Sequence, residues 1–162
     1  MFLIPKGNKD TQGIGILEVV WKVAEVVIDT CIKTAVQFHD VLHGFRTGRE
    51  AGTVIIELKL AHELESVYQY PLFLIFLDIM SAYDNLYCGR ILQTLLGYRV
   101  GPKLRGVLAE LWLRQEVVTH QNVFHGIQFR VIQGITYGEL ASPTLFNVSA
   151  QIIFQSQNRL RV

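Results

Sequence analysis

An α+β fold with a mostly helical front is what this sequence predicts, and three observations carry that prediction. Apolar residues recur at helical spacing over residues 16–38. The unbroken run LFLIFL, residues 72–77, follows Pro71 and is too short for a helix of its own, which suits a strand covered on both faces. Residues 117–124 and 127–132 read as two strands of a hairpin joined at His125-Gly126. Helices, a buried strand, more helices, a hairpin and a last helix are the order of an α+β domain.

Each element has its own warrant. In the first helix Ile16, Val19, Val20, Val23, Val27, Cys31, Ala35 and Phe38 form the expected core stripe. Glu18, Lys22, Glu25, Asp29 and Lys33 hold the other face, with Glu18/Lys22 and Asp29/Lys33 at i,i+4 spacing. The loop HGFRTGREAG follows, and Thr47 with Glu50 has the spacing of a capping box that opens a second helix through about Tyr68. Its expected stripe is Val54, Leu58, Ala61, Leu64 and Tyr68. The apolar run after Pro71 ends on Asp78. Ser81 and Asp84 repeat the capping-box spacing and predict a helix over residues 82–96, stopped by Gly97. Pro102 is suited to the first turn of the next helix, with Leu104, Val107, Leu108, Leu111 and Trp112 inward. In the hairpin, Ile127, Phe129 and Val131 alternate with Gln128 and Arg130, so one face is wet. Ser142-Pro143 supplies a cap and a first-turn proline for the last helix, with Leu145, Val148, Ser149 and Ile152 on one side.

Bulk composition narrows the function. Half of the 162 residues are hydrophobic, and Lys+Arg of 15 against Asp+Glu of 14 leaves a net charge of +1, so no global field draws in a polyanion. Two well-separated cysteines, Cys31 and Cys88, make neither a disulfide framework nor a zinc site and point to a reducing, intracellular setting. No run reaches the length of a membrane span, and the opening MFLIPKGNKD lacks the basic leader and cleavage site of a signal peptide. A mean hydropathy of +0.29 is high for a soluble domain and suggests a piece whose partner surface is apolar.

The residue types that carry chemistry concentrate in FLDIMSAYD, residues 76–84. A carboxylate at a strand end is rigidly mounted, as a metal ligand must be. Asp84 is accounted for as a helix-capping residue, whereas Asp78 has no structural task because Ser81 already caps. His39 and His43 are four apart but gather no cysteine or carboxylate cluster, and they read as structural or surface histidines. Trp21, Trp112 and the tyrosines sit among valines and leucines at helical spacing and read as core rather than base-stacking platforms. GIGI, residues 13–16, follows no predicted strand and has no phosphate-loop pattern.

FLDIMSAYD resembles the first palm motif of reverse transcriptases, an Asp followed five residues later by an aromatic-Asp pair. GITYGELASPTLFN, residues 134–147, is similar to that family's Gly-turn, Ser-Pro and apolar-Phe-Asn segment. HGFRTGRE and the opening IPKG fall where the family's fingers motifs lie, so the resemblance covers the whole chain in order, nearest to the non-LTR retrotransposon and group II intron branch. It implies a fingers-like helical region over residues 1–70 and a partial palm over residues 71–162. It also implies template-directed DNA synthesis with an RNA template, a DNA primer, deoxynucleoside triphosphates and two Mg2+ ions. Carried over by position, Asp78 ligates metal by its carboxylate and Ile79 by its backbone carbonyl. Tyr83 becomes the steric gate against a ribonucleotide, and Gly138 with Tyr137 lines the nucleotide pocket. Lys6, Arg46 and Arg49 become candidate phosphate contacts.

The sequence also departs from the family. Tyr137 stands where the family has Gln, and Gln12 stands where it commonly has a triphosphate-binding Arg. The family's adjacent Asp pair lies downstream of the Ser-Pro helix, and the sequence reaches Val162 before it, so the expected domain is truncated ahead of the second catalytic palm motif. No polymerase activity is expected from the chain alone, and the missing palm and thumb belong to a longer polyprotein. The alternative is a non-enzymatic polymerase-like remnant that binds nucleic acid or a partner.

Overall fold

The computed structural model describes residues 2–6, 10–14, 19–69, 71–118, 128–136 and 138–157, with the backbone alone for 2–6, 10–14, 117, 129 and 153–157. The described chain is helical. Its elements are β1 (Phe2–Lys6), β2 (Asp10–Ile14), α1 (Val19–Ala35), α2 (Ala51–Tyr68), α3 (Cys88–Gly97), α4 (Pro102–Arg114), β3 (Glu116–Val118), β4 (Gln128–Arg130) and α5 (Ser142–Gln157). Strands occur, among the described residues, only as two antiparallel hairpins, β1 with β2 and β3 with β4. The α+β fingers-and-palm architecture expected from the sequence is therefore corrected: no palm sheet forms among the described residues.

The cause lies in the segment expected to be its central strand. Residues 71–79 adopt no regular secondary structure and every side chain from 71 to 80 is exposed, Leu77 at 89%. A strand buried on both faces needs neighbouring backbones to take its N–H and C=O groups. Without them water does so, and the run stays open.

The chain divides into two compact units, residues 1–38 with 81–162, and residues 39–80. In the first unit, α5 packs on α3 and α1, and α4 packs on α3. The shared core holds Ile28, Ile32 and Val36 from and just after α1, Ile91 and Leu95 from α3, Leu108 from α4, and Leu145 and Val148 from α5, with Leu86, Val100 and Ile135 from the connections. Burying each such side chain contributes roughly 1.5–3 kcal/mol.

The inward face of α1 is not the expected one. Val19, Val20, Val23, Val26, Val27 and Cys31 are exposed, Val20 at 80%, while the stripe Glu25, Ile28, Ile32 and Val36 is buried, Ile32 completely. Both stripes have helical period. The one that meets α5 carries Glu25 and Asp29, which find donors there: the Leu140 N–H at 2.8 Å from Glu25 Oε2, and the Thr144 hydroxyl at Asp29 Oδ1. Exposed valines cost little beside two stranded carboxylates.

α3 begins at Cys88 rather than near residue 82, because Ser81 has φ +48° and cannot cap a helix in that conformation. The preceding residues form turns closed by Asn85 N–H to Ser81 O at 3.0 Å and Leu86 N–H to Tyr83 O at 3.3 Å. The helix ends at Gly97 as expected. α4 starts with Pro102 in its first turn behind Gly101, with Leu108 buried, Leu104, Leu111 and Trp112 partly buried, and Val107 exposed. The second hairpin pairs Glu116 with Arg130 and Val118 with Gln128, and the expected turn at His125-Gly126 lies outside the described residues. The hairpin β1–β2 was not expected, although FLIPK and DTQGI flank the turn-prone Gly7-Asn8-Lys9, and Gly13-Ile14 ends a strand after all.

In the second unit α2 spans the expected residues but buries none of them. Its N-cap is Glu50, which makes no side-chain capping bond, so the Thr47/Glu50 capping box does not form. The helix closes on Gln69 in the left-handed region, whose N–H donates to Glu65 O at 2.8 Å. Leu58, Leu64 and Tyr68 of the expected stripe are exposed.

Candidate functional site

Two stretches singled out in the sequence, YD at 83–84 and the segment from Gly134 to Ser142, meet in the first unit. Gly134 N–H donates to Leu86 O at 3.0 Å, and Ile135 N–H donates to Tyr83 O at 3.1 Å. Gly134 has φ +89°, and a Cβ there would lie 2.9 Å from both the Cα and the carbonyl oxygen of Asp84. Only glycine fits so close an approach of two backbones. The Tyr83 ring is half-buried and meets Phe146 of α5 edge-on, with centroids 5.8 Å apart and planes at 69°. The tyrosine is thus anchored at both ends of the later segment.

After that contact the chain makes a second glycine turn at Gly138, φ +96° and exposed. Tyr137, expected to line the pocket with it, lies outside the described residues. α5 then begins with Leu145 N–H donating to Ala141 O at 2.9 Å. Ser142 is buried and its hydroxyl donates to Thr136 O at 2.8 Å, so it ties the turn rather than capping the helix as expected.

Around this turn lies a polar cluster that the sequence reading did not single out. Glu25 is buried, and burial pushes its carboxyl up from the ordinary value, with the Leu140 N–H and Lys22 opposing. Glu139, the residue after Gly138, is pushed up to about 7, by burial first and then by the charge of Glu25, against hydrogen bonds from Thr136 and Ser142. Gln115 Nε2 donates to Glu139 Oε1 at 3.0 Å and to the Thr136 hydroxyl. The Cys88 thiol, also raised by burial and by Glu139, donates to Gly134 O at 3.5 Å. The available signal was that Glu25 shares the helical spacing of Ile28 and Ile32. A cleft of about 480 Å³ between α3 and α5 is lined by Arg90, Gln93, Thr94, Gly97, Tyr98 and Ile152, none of them a motif residue.

Asp78 and Ile79 belong to the second unit and are exposed. Among the described residues no group of three His, Cys, Asp or Glu side chains could hold a metal ion. Magnesium in phosphoryl-transfer sites is held by one or two carboxylates together with waters and substrate phosphates, so Asp78 and the Ile79 carbonyl would supply only part of its octahedral shell. The arginines proposed for phosphate are engaged locally: Arg46 Nη1 donates to His39 O at 2.8 Å and Leu42 O at 3.0 Å, and Arg49 Nη2 pairs with Asp40 Oδ1 at 2.8 Å. Lys6 lies in β1, where the backbone alone is described. His43 Nε2 faces Glu57 Oε2 at 3.8 Å.

The two segments that resemble reverse-transcriptase motifs meet through a glycine that accepts no substitute, and the class of protein is shown by comparison with protein families. The sequence matches the family model described as reverse transcriptase (RNA-dependent DNA polymerase) over residues 4–161. This chain belongs to the reverse transcriptase family. Among curated proteins none matches it. The family acts on a nucleic-acid template with nucleotide substrates and generally uses divalent metal ions. No described helix is long and apolar enough to cross a membrane.

Proposed function

We propose that this chain supplies part of the active site of an RNA-directed DNA polymerase of the non-LTR retrotransposon and group II intron branch, and that it does not extend a primer alone. Residues 1–70 correspond in sequence to the family's fingers and residues 71–162 to the front of its palm. The observation that supports this most is the seating of Gly134 on the Tyr83–Asp84 backbone. It ties the Tyr83–Asp84 backbone to the segment that leads to Gly138, both in the first unit.

In this reading the Tyr83 ring, braced by Phe146, stands where a 2′-hydroxyl would otherwise fit, and Gly138 lets the backbone approach the incoming nucleotide. Asp78 contributes one metal-ligating carboxylate, with the Ile79 carbonyl beside it. The 162 residues contain no adjacent Asp pair, so the other carboxylates of a two-magnesium centre come from elsewhere in an active enzyme. When bound, the metal supplies charge neutralisation at the triphosphate and activation of the primer hydroxyl.

Primer extension on an RNA template tests the proposal. The chain alone should give no product, whereas a fusion carrying the remaining palm and thumb of a related enzyme should extend the primer. Asp78→Ala in that fusion should abolish synthesis, and Tyr83→Ala should raise ribonucleotide incorporation. A fusion that stays active after Asp78→Ala overturns the assignment. Robust extension by the unfused chain overturns the claim that it is incomplete.

A further inference from the structure

The turn that carries Gly138 is held by two carboxylates from opposite ends of the sequence. Glu25, on the buried stripe of α1, accepts the Leu140 N–H at 2.8 Å. Glu139, the intervening residue, accepts from Gln115 at the end of α4 and from the hydroxyl of Thr136. A carboxylate that accepts a backbone N–H is favoured in its charged form, and a second, buried carboxyl beside it then favours the neutral form. Two such groups titrate as a pair.

We propose that Glu25 and Glu139 are a positioning pair for the Gly138 turn: while only one of them is ionised the turn stays seated on α1, and ionisation of both sets two like charges against each other and shifts the turn. Glu25 carries the charge and Glu139 the proton in the seated state.

The charged and titratable groups around the pair fit this assignment. On α1, Lys22 acts on Glu25 and favours its anion, and Asp29 is occupied by the Thr144 hydroxyl of α5. At the start of α3, the Cys88 thiol is itself raised by burial, so it stays neutral and adds no charge. From the end of α4 comes the neutral amide of Gln115, and from α5 neutral hydroxyls. Deprotonation of Glu139 therefore meets the Glu25 charge, and Lys22, the one cation among these groups, acts on Glu25.

This inference deepens the proposed polymerase reading, because the turn is a nucleotide-pocket element only there. The test is the amide resonance of Gly138 followed from pH 5 to 9 in the full chain without nucleotide. Wild type should titrate with a midpoint near the value of about 7 for Glu139. Glu139→Gln, which keeps the acceptor and the volume, should flatten the curve. Glu25→Gln, which still accepts from Leu140, should move the midpoint down by about one pH unit, since the like charge is gone. A Gly138 resonance that does not titrate, or a midpoint unmoved by Glu25→Gln, overturns the pair. Addition of a deoxynucleoside triphosphate with magnesium to the same sample reports on the pocket reading separately: the pair stands or falls on the titration, and the pocket on whether Gly138 shifts with nucleotide.

Discussion

Replacing Glu139 by Gln should stabilise the protein, but only above mildly acidic pH. The Glu139 carboxyl is raised from its ordinary 4.5 to about 7. At about 1.4 kcal/mol for each factor of ten in acidity, that difference is worth about 3 kcal/mol. The sign follows from which state holds the proton. Below pH 4.5 the side chain is neutral folded and unfolded, and it contributes no pH-dependent difference. Between 4.5 and about 7 the folded state keeps a proton that the unfolded state has released, so stability falls as pH rises and the loss is complete once the folded group ionises. Glutamine carries no such proton. Denaturant unfolding of wild type and Glu139→Gln across pH 4.5–8.5 should therefore give two curves that coincide at the acid end and separate by about 3 kcal/mol at pH 8, the variant above. Taking the difference cancels the carboxylates that do not act on Glu139, while the coupling to Glu25 stays in it. Parallel curves, or a variant less stable at pH 8, would refute the burial and like-charge argument.

Four further expectations come from the same structure. Gly134→Ala should cost at least about 2 kcal/mol in unfolding free energy, because it adds left-handed strain to a collision with the Asp84 backbone. Gly106→Ala, in the middle of α4 with open space around it, should instead stabilise by about 0.5–1 kcal/mol. The choice of α1 face is checked by thermal melts of Ile32→Ala, which should lose roughly 2–5 kcal/mol, beside Val20→Ala, which should change stability by less than about 0.5 kcal/mol. Phe76→Lys breaks an exposed apolar run and should raise soluble yield while leaving the unfolding midpoint unchanged; a lower midpoint would mean that the run is buried.

The turns around the candidate site were legible locally. Gly134, Gly138 and Ser142-Pro143 mark the turn and helix start that the structure contains, and Tyr83 falls where the two motifs meet. Glu25 and Glu139 were not legible as a pair, since they lie far apart in the chain and their coupling exists only when α1 and the turn share a dry contact. Asp78 was read as the end of a buried strand, but no sheet stands beside it among the described residues.

By itself the sequence determined family membership and the features whose cause is local: the stop of α3 at Gly97, the Pro102 start of α4, and the turns that demand glycine. Tertiary structure alone decided which of two apolar stripes on α1 is core, where α3 begins, and that residues 71–79 form no strand. The physical reason is that periodicity records which side chains share a face, whereas burial depends on a partner surface. A helix satisfies its own backbone and can form before its face is chosen, but a strand cannot be a strand without another backbone beside it.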